Sequence, residues 1–250
     1  MPLKPLIHIL LLAFLLLGSA CARLKYAFKK EASSAHVWAP LALAGAVQIN
    51  HTDAKISRWG RVQNPLFGNQ DNAEALSDRF NDVLEYEAYA SLVLSPTLDG
   101  EFSWSKYGTI KGKEWLAMEG GVRGSYWSAQ GIKVIAKRER PLKQDNWSFP
   151  SGHATAAGAW KKAAHNNLDN FNRPYPVIAT IGQTLAFGTL WARVEAGKHY
   201  PSDVLVGYAL GTFLTGFVWS ATFMKPMDVG ESLSFIPMQD GTGLMYVRLF

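Results

Sequence analysis

Residues 177–194 read VIATIGQTLAFGTLWARV, and residues 204–224 read VLVGYALGTFLTGFVWSATFM. Both stretches are apolar and close to the length needed to cross a bilayer. Their setting decides between a membrane bundle and a water-soluble one. Residues 72–93 repeat apolar side chains at three- and four-residue spacing, with Glu74, Asp78, Arg79, Asp82 and Glu85 on the other side. The stretch 113–138 carries several charges as well. Turned to lipid, such faces would leave charge in hydrocarbon. The two apolar stretches are therefore read as central helices of a water-soluble, all-α helical bundle.

Outward from this pair, a short apolar helix is expected over 37–49, with Pro40 in its first turn, where a missing N–H costs nothing. Residues 51–71 carry Gly, Pro, Asn and Asp, and 96–112 carry Pro96 with Gly100, Gly108 and Gly112, so both read as connections. The helix at 113–138 delivers its basic end to a loop at 145–150. A small-residue helix follows from Ala154, and a loop covers 166–175. The tail from 232 to 250 alternates weakly around Gly241 and Gly243, a pattern that admits a short β hairpin at the C-terminus.

Three groups of residues between 133 and 203 carry chemistry. Lys133 and Arg140 lie seven apart, so a continuous helix would bring them to nearly the same face, and Pro141 follows as a stop. Pro150-Ser151-Gly152-His153 comes next, and then Arg193, His199 and Asp203. Arg193 is a third cation, His153 a proton donor, and His199 stands four residues before a carboxylate able to orient its ring. Cations and imidazoles in this number suit a phosphate.

The order Lys-x6-Arg-Pro, Pro-Ser-Gly-His, Arg-x5-His-x3-Asp resembles the type-2 phosphatidic acid phosphatase family, with Ala192 standing where the family pattern has Ser. That resemblance implies the helical bundle shared with bacterial acid phosphatases and vanadium haloperoxidases. It also implies phosphomonoester hydrolysis without a metal or other cofactor, through a phosphohistidine. On this basis His199 is the nucleophile, Asp203 orients it, and His153 protonates the leaving oxygen. Lys133, Arg140 and Arg193 hold the phosphate oxygens, helped by Ser151 and the Gly152 amide. Arg138 and Lys137 read as solvated charges beside the site, with Arg138 able to replace Arg140 in a different register. Loss of the usual Ser at Ala192 predicts weaker binding or altered selectivity.

The amino terminus has the layout of an export signal over 1–22: Lys4, an apolar run from Leu6 to Leu17 too short to span a bilayer, then small residues. Gly18-Ser19-Ala20-Cys21 resembles the lipid-attachment box of bacterial lipoproteins, although Leu17 lies one residue further from the cysteine than such boxes place it. The expectation is export to the bacterial periplasm, with a membrane anchor if Cys21 is lipidated. Residues 23–35 read as a basic linker and 36–250 as one helical phosphatase domain. Cys21 is the only cysteine, which rules out an internal disulfide.

A hydrophobic content of 48% with nine Trp and thirteen Phe excludes disorder for the bulk of the chain. The net charge of +5 suits an anionic substrate or membrane surface. Basic and aromatic residues do not interleave, so nucleic acid is not an expected partner. The expected substrate is a phosphorylated lipid, such as phosphatidate or an isoprenoid diphosphate. The alternatives are a non-specific acid phosphatase on soluble esters, a vanadate-dependent haloperoxidase, and a noncatalytic phospholipid-binding lipoprotein.

Overall fold

A computed structural model of the chain describes residues 22–96, 103–169, 175–223, 231–238 and 241–248. Residues 1–21 of the proposed export signal, Cys21 among them, lie outside the described residues. The chain divides into two compact units, residues 31–219 and residues 1–30 with 220–250.

Within 31–219 the helices are α1 (Ala35–Ile49), α2 (Asp53–Gln63), α3 (Gln70–Leu94), α4 (Trp104–Ala136), α5 (Gly152–Leu168), α6 (Pro176–Glu195) and α7 (Pro201–Phe223), the last continuing beyond residue 219. The all-α reading holds for this unit. In the other unit β1 (Glu231–Met238) pairs antiparallel with β2 (Gly241–Arg248), Ser234 opposite Met245, which is the hairpin that the tail admitted.

Local chemistry sets the helix ends. Asn69 caps α3, its side chain accepting from the Asn72 amide at 2.7 Å. Pro176 opens α6 with its φ already set for a helix. Lys137 closes α4 in the left-handed region at φ 45°, its amide on the Lys133 carbonyl.

α5 lies at the middle and packs on α3, α4 and α6. Its small side chains Ala154, Ala157, Ala159 and Ala163 are buried with Leu84 and Leu92 of α3, Met118 of α4, Leu190 of α6 and Tyr208 of α7. α7 comes closest of all. A Cβ at Gly211 would stand 2.0 Å from the Thr155 carbonyl oxygen, and one at Gly207 would stand 2.5 Å from that of Ser151. Only hydrogen fits at these two positions. Their contact brings the first turns of α5 and α7 together, and the Ser151 amide donates to the Asp203 carbonyl at 3.0 Å.

Several expectations are corrected. Residues 51–71 contain α2, because Asp53 is buried by Ser202 and Arg138 and its helix packs on α6. α4 starts at Trp104, well inside the expected turn-rich connection. Gly108 and Gly112 cost helix stability, but Tyr107 ties the added turns to α3 through the Val93 carbonyl at 3.2 Å. Residues 22–32 are helical, although 23–35 was expected as linker, and α5 runs through Leu168 into the expected loop. α6 is central only in its second half: Ala186, Leu190 and Val194 are buried, whereas Val177, Ile178 and Ile181 are exposed. Among the described residues, α7 alone is long and apolar enough to cross a membrane, and it buries Asp203, Thr212 and Thr215 against protein.

Candidate active site

A cavity of about 750 Å³ opens where the ends of α4, α5, α6 and α7 meet the side of α3. Lys133, Arg140, Gly152, His153, Arg193 and His199 all line it. Residues up to 66 positions apart in sequence therefore face one space, as one anion would require.

His199 reaches it from the turn between α6 and α7. Gly197, at φ +67°, reverses the chain there, and the Lys198 and His199 amides both donate to the Arg193 carbonyl. The imidazole is buried, and its Nδ1 lies 2.7 Å from the Ser148 carbonyl oxygen. A carbonyl only accepts, so Nδ1 carries the proton and Nε2 keeps its lone pair. Burial holds the His199 pKa well below its usual 6.5, with Arg193, Lys133 and Arg140 adding repulsion. The ring is neutral at pH 7.

The carboxylate of Asp203, expected as the direct orienting partner, stands 3.9 Å from Nδ1. It acts one step removed. Oδ2 accepts from Ser148 Oγ at 2.6 Å and from the Tyr200 amide at 2.9 Å, and Oδ1 accepts from Arg138 at 2.6 Å. Asp203 thus pins the residue whose carbonyl holds the imidazole.

The cations arrive by different routes. Lys133 sits in the last turn of α4, 6% exposed, and donates to the Trp147 carbonyl at 2.6 Å. Burial, and then Arg140, lowers its pKa to about 8. Arg140 does not share a helix face with Lys133, since α4 ends at Ala136; it comes from the following loop, held by Asp145 at 2.7 Å. Arg193 is 4% exposed on α6 and donates to Ser77 Oγ at 3.1 Å, with Glu74 at 3.8 Å. Its buried Nε has no hydrogen-bond partner.

His153 lies in the first turn of α5, its Nε2 2.8 Å from Asp78 Oδ1. Burial and Arg193 lower its pKa, while Asp78 and Glu74 oppose them. Gly152 borders the cavity, but Ser151 is buried beneath it as the α5 N-cap, its Oγ facing the Ala154 amide. Ser151 is thus a helix cap in this structure and not a lining donor. Ala192 is fully buried and does not line the cavity either.

Arg138 is no solvated charge. It bridges Asp53 at 2.7 Å and Asp203 at 2.6 Å and lies over the Tyr200 ring at 4.3 Å. The bracing roles of Arg138 and Asp53, together with Ser148 and Asp78, escaped sequence reading, because their partners are distant in the chain and each looked like an ordinary surface polar residue. Among the described residues no three metal-ligating side chains gather into a cluster. The positive charge that faces the cavity comes from the lysine and arginines.

Residues 113–227 match the family model described as the PAP2 superfamily. A decaprenylphosphoryl-5-phosphoribose phosphatase of Mycobacterium tuberculosis is 34% identical over 115 residues, 42% of this chain and 60% of that protein. A lipid A 1-phosphatase of Rhizobium etli is 37% identical over 76 residues, 29% of this chain and 30% of that one. A transmembrane PAP2-type phosphatidylglycerolphosphate phosphatase from Bacillus subtilis aligns at a TM-score of 0.39 and 16% identity, covering 74% of this chain and 92% of its own.

Proposed function

From the match of residues 113–227 to the PAP2 superfamily, we propose that this protein is an exported, membrane-associated phosphatase of lipid-linked phosphate esters that works through a phosphohistidine. The observation that carries the reading is His199: neutral, its Nδ1 occupied by the Ser148 carbonyl, in a cavity it shares with Lys133, Arg140 and Arg193.

In the first step the Nε2 lone pair forms a bond to phosphorus as the ester P–O bond breaks, and His153 gives its proton to the departing oxygen. Asp78 favours the protonated imidazole that this requires. In the second, His153 takes a proton from water, the water oxygen bonds to phosphorus, and the P–N bond breaks to release phosphate and neutral His199. Lys133, Arg140 and Arg193 match charge on the nonbridging oxygens throughout, fixed before the substrate arrives. The Gly152 amide at the start of α5 adds a donor where the helix dipole favours an anion.

The names of the two bacterial relatives support a lipid-linked substrate, and phosphatidate and an isoprenoid diphosphate are the candidates we carry forward from the sequence resemblance. The apolar leader and the exposed Trp38, Leu41, Val177, Ile178 and Ile181 support a membrane location. Phosphate release from short-chain phosphatidate and from p-nitrophenyl phosphate, in chelator, tests the reading. Turnover of the lipid ester is expected, and inactivity on both would overturn it.

A further inference from the structure

A second cavity, of about 310 Å³, adjoins the phosphate pocket and shares Glu85, Tyr126, Gly152, Ala156 and Trp160 with it. The phosphate cations are absent from its wall. It is formed by three aromatic side chains, Tyr126, Trp127 and Trp160, together with the carboxylates of Glu85 and Glu119 and the guanidinium of Arg123. We propose that this cavity is a subsite for a hydroxyl-rich group, a glycosyl or similar polyol, carried on the ester oxygen of the phosphate. The proposal rests on the phosphatase reading for its orientation and deepens it by naming the substrate's neighbouring group.

The chemistry of the wall selects the ligand. Aromatic rings present flat apolar faces that suit the C–H faces of a sugar ring, and Tyr126 and Trp127, at 50% and 69% exposure, are open to contact. Tyr126 and Trp127 meet edge to face with centroids 5.3 Å apart, so the two rings offer differently inclined surfaces. Carboxylates accept hydrogen bonds without donating, and a polyol brings several O–H donors.

Glu119 is buried and oriented, receiving Tyr89 Oη and, at 2.8 Å, Arg123 Nε. Glu85 stands half-buried beside it, and burial with the neighbouring Glu119 and Asp82 raises its pKa. A hydroxyl donor to Glu85 would relieve that unfavourable setting. A hydrocarbon chain here would strip water from the Glu85 carboxylate and return no hydrogen bond, so the cavity disfavours the lipid tail. An ammonium would meet Glu85 but also Arg123, whose charge already pairs with Glu119.

The test compares two esters of equal carbon number, glucose 1-phosphate and n-hexyl phosphate. Calorimetric titration into the His199→Asn protein, where turnover is expected to be blocked, reads binding alone. The sugar ester is expected to bind at least about tenfold more tightly, and adding Trp127→Ala or Glu85→Gln should cut that ratio to about twofold. Equal binding, tighter binding of hexyl phosphate, or a sugar preference untouched by both substitutions overturns the subsite. Wild-type turnover of the two esters is measured in parallel. No hydrolysis alongside an intact, substitution-sensitive sugar preference would remove the phosphatase and leave the subsite standing.

Discussion

The Ser148 carbonyl oxygen lies 2.7 Å from His199 Nδ1, while the Ser148 hydroxyl donates to Asp203 at 2.6 Å. One residue thus relays a carboxylate to an imidazole that the carboxylate does not touch. The arrangement locks the ring tautomer by backbone position, which a change of side chain at 148 alters only indirectly.

Asp203→Asn is expected to reduce kcat more than Ser148→Ala. The first change disturbs three contacts, to Ser148, Tyr200 and Arg138, whereas the second removes one and keeps the carbonyl. Losses of up to about 100-fold for the asparagine are in the range of such orienting partners. Steady-state kinetics on p-nitrophenyl phosphate, with folding checked by circular dichroism, decides the order.

Lys133 has its pKa lowered to about 8, so its charge is present below that pH and lost above it. On the phosphatase reading, kcat/KM should decline on the alkaline side with an apparent pKa of about 8. Lys133→Arg, which stays charged, should move that decline upward. A pH–rate profile with an unchanged alkaline limb in the arginine variant would remove Lys133 from phosphate binding.

His199 is held neutral by burial, its folded pKa far below the 6.5 of the unfolded chain. Between those two values the unfolded chain binds more protons, so stability rises with pH across that window. It is complete above pH 6.5 and is lost as the pH falls toward the folded value. Urea midpoints measured from pH 4.5 to 7.5 should climb, and His199→Asn should flatten the climb; equal slopes would contradict the assignment.

Arg138→Ala leaves Asp203 and Asp53 buried without their shared cation. Removing one partner of such a network costs about 3–5 kcal/mol, and Arg138→Met should cost a similar amount because it keeps bulk without charge. A loss below about 1 kcal/mol in urea unfolding would show that the two carboxylates find other partners.

Gly211→Ala places a methyl carbon 2.0 Å from the Thr155 carbonyl oxygen, in the contact between α5 and α7. Backbone must move, so destabilisation of about 3 kcal/mol is expected, at the upper end for overpacking. Gly45→Ala, whose Cβ would meet nothing within 4 Å, is the control and should be neutral or mildly stabilising in thermal unfolding.

Much of the frame was legible along the chain because it depends on local periodicity. The apolar and charged spacing of 72–93 marked α3, whereas Pro141, read as the stop of the next helix, lies beyond the Lys137 cap that ends α4. α2 was not legible: its eleven residues carry the loop-like composition of DAKISRWGRVQ, and its burial depends on Ser202 and Arg138, far along the chain. Arg140 was assigned to the cavity by pattern, but the helical face expected to carry it there does not exist. Ser151 illustrates the converse. A serine before Gly-His satisfies equally a phosphate donor and a helix cap, and only its burial identifies it as the cap here.

By itself, the order of residues determined the helical class and the set of basic and imidazole groups able to meet an anion, since periodicity and residue chemistry are carried by neighbours in the chain. The tertiary structure alone decided which nitrogen of His199 is free, which arginine faces the cavity and which braces Asp203, and that an aromatic and acidic chamber adjoins the cations. Those outcomes turn on burial and on separations of a few ångströms between residues far apart in the chain. Packing sets such distances, through contacts as close as Gly211 on Thr155.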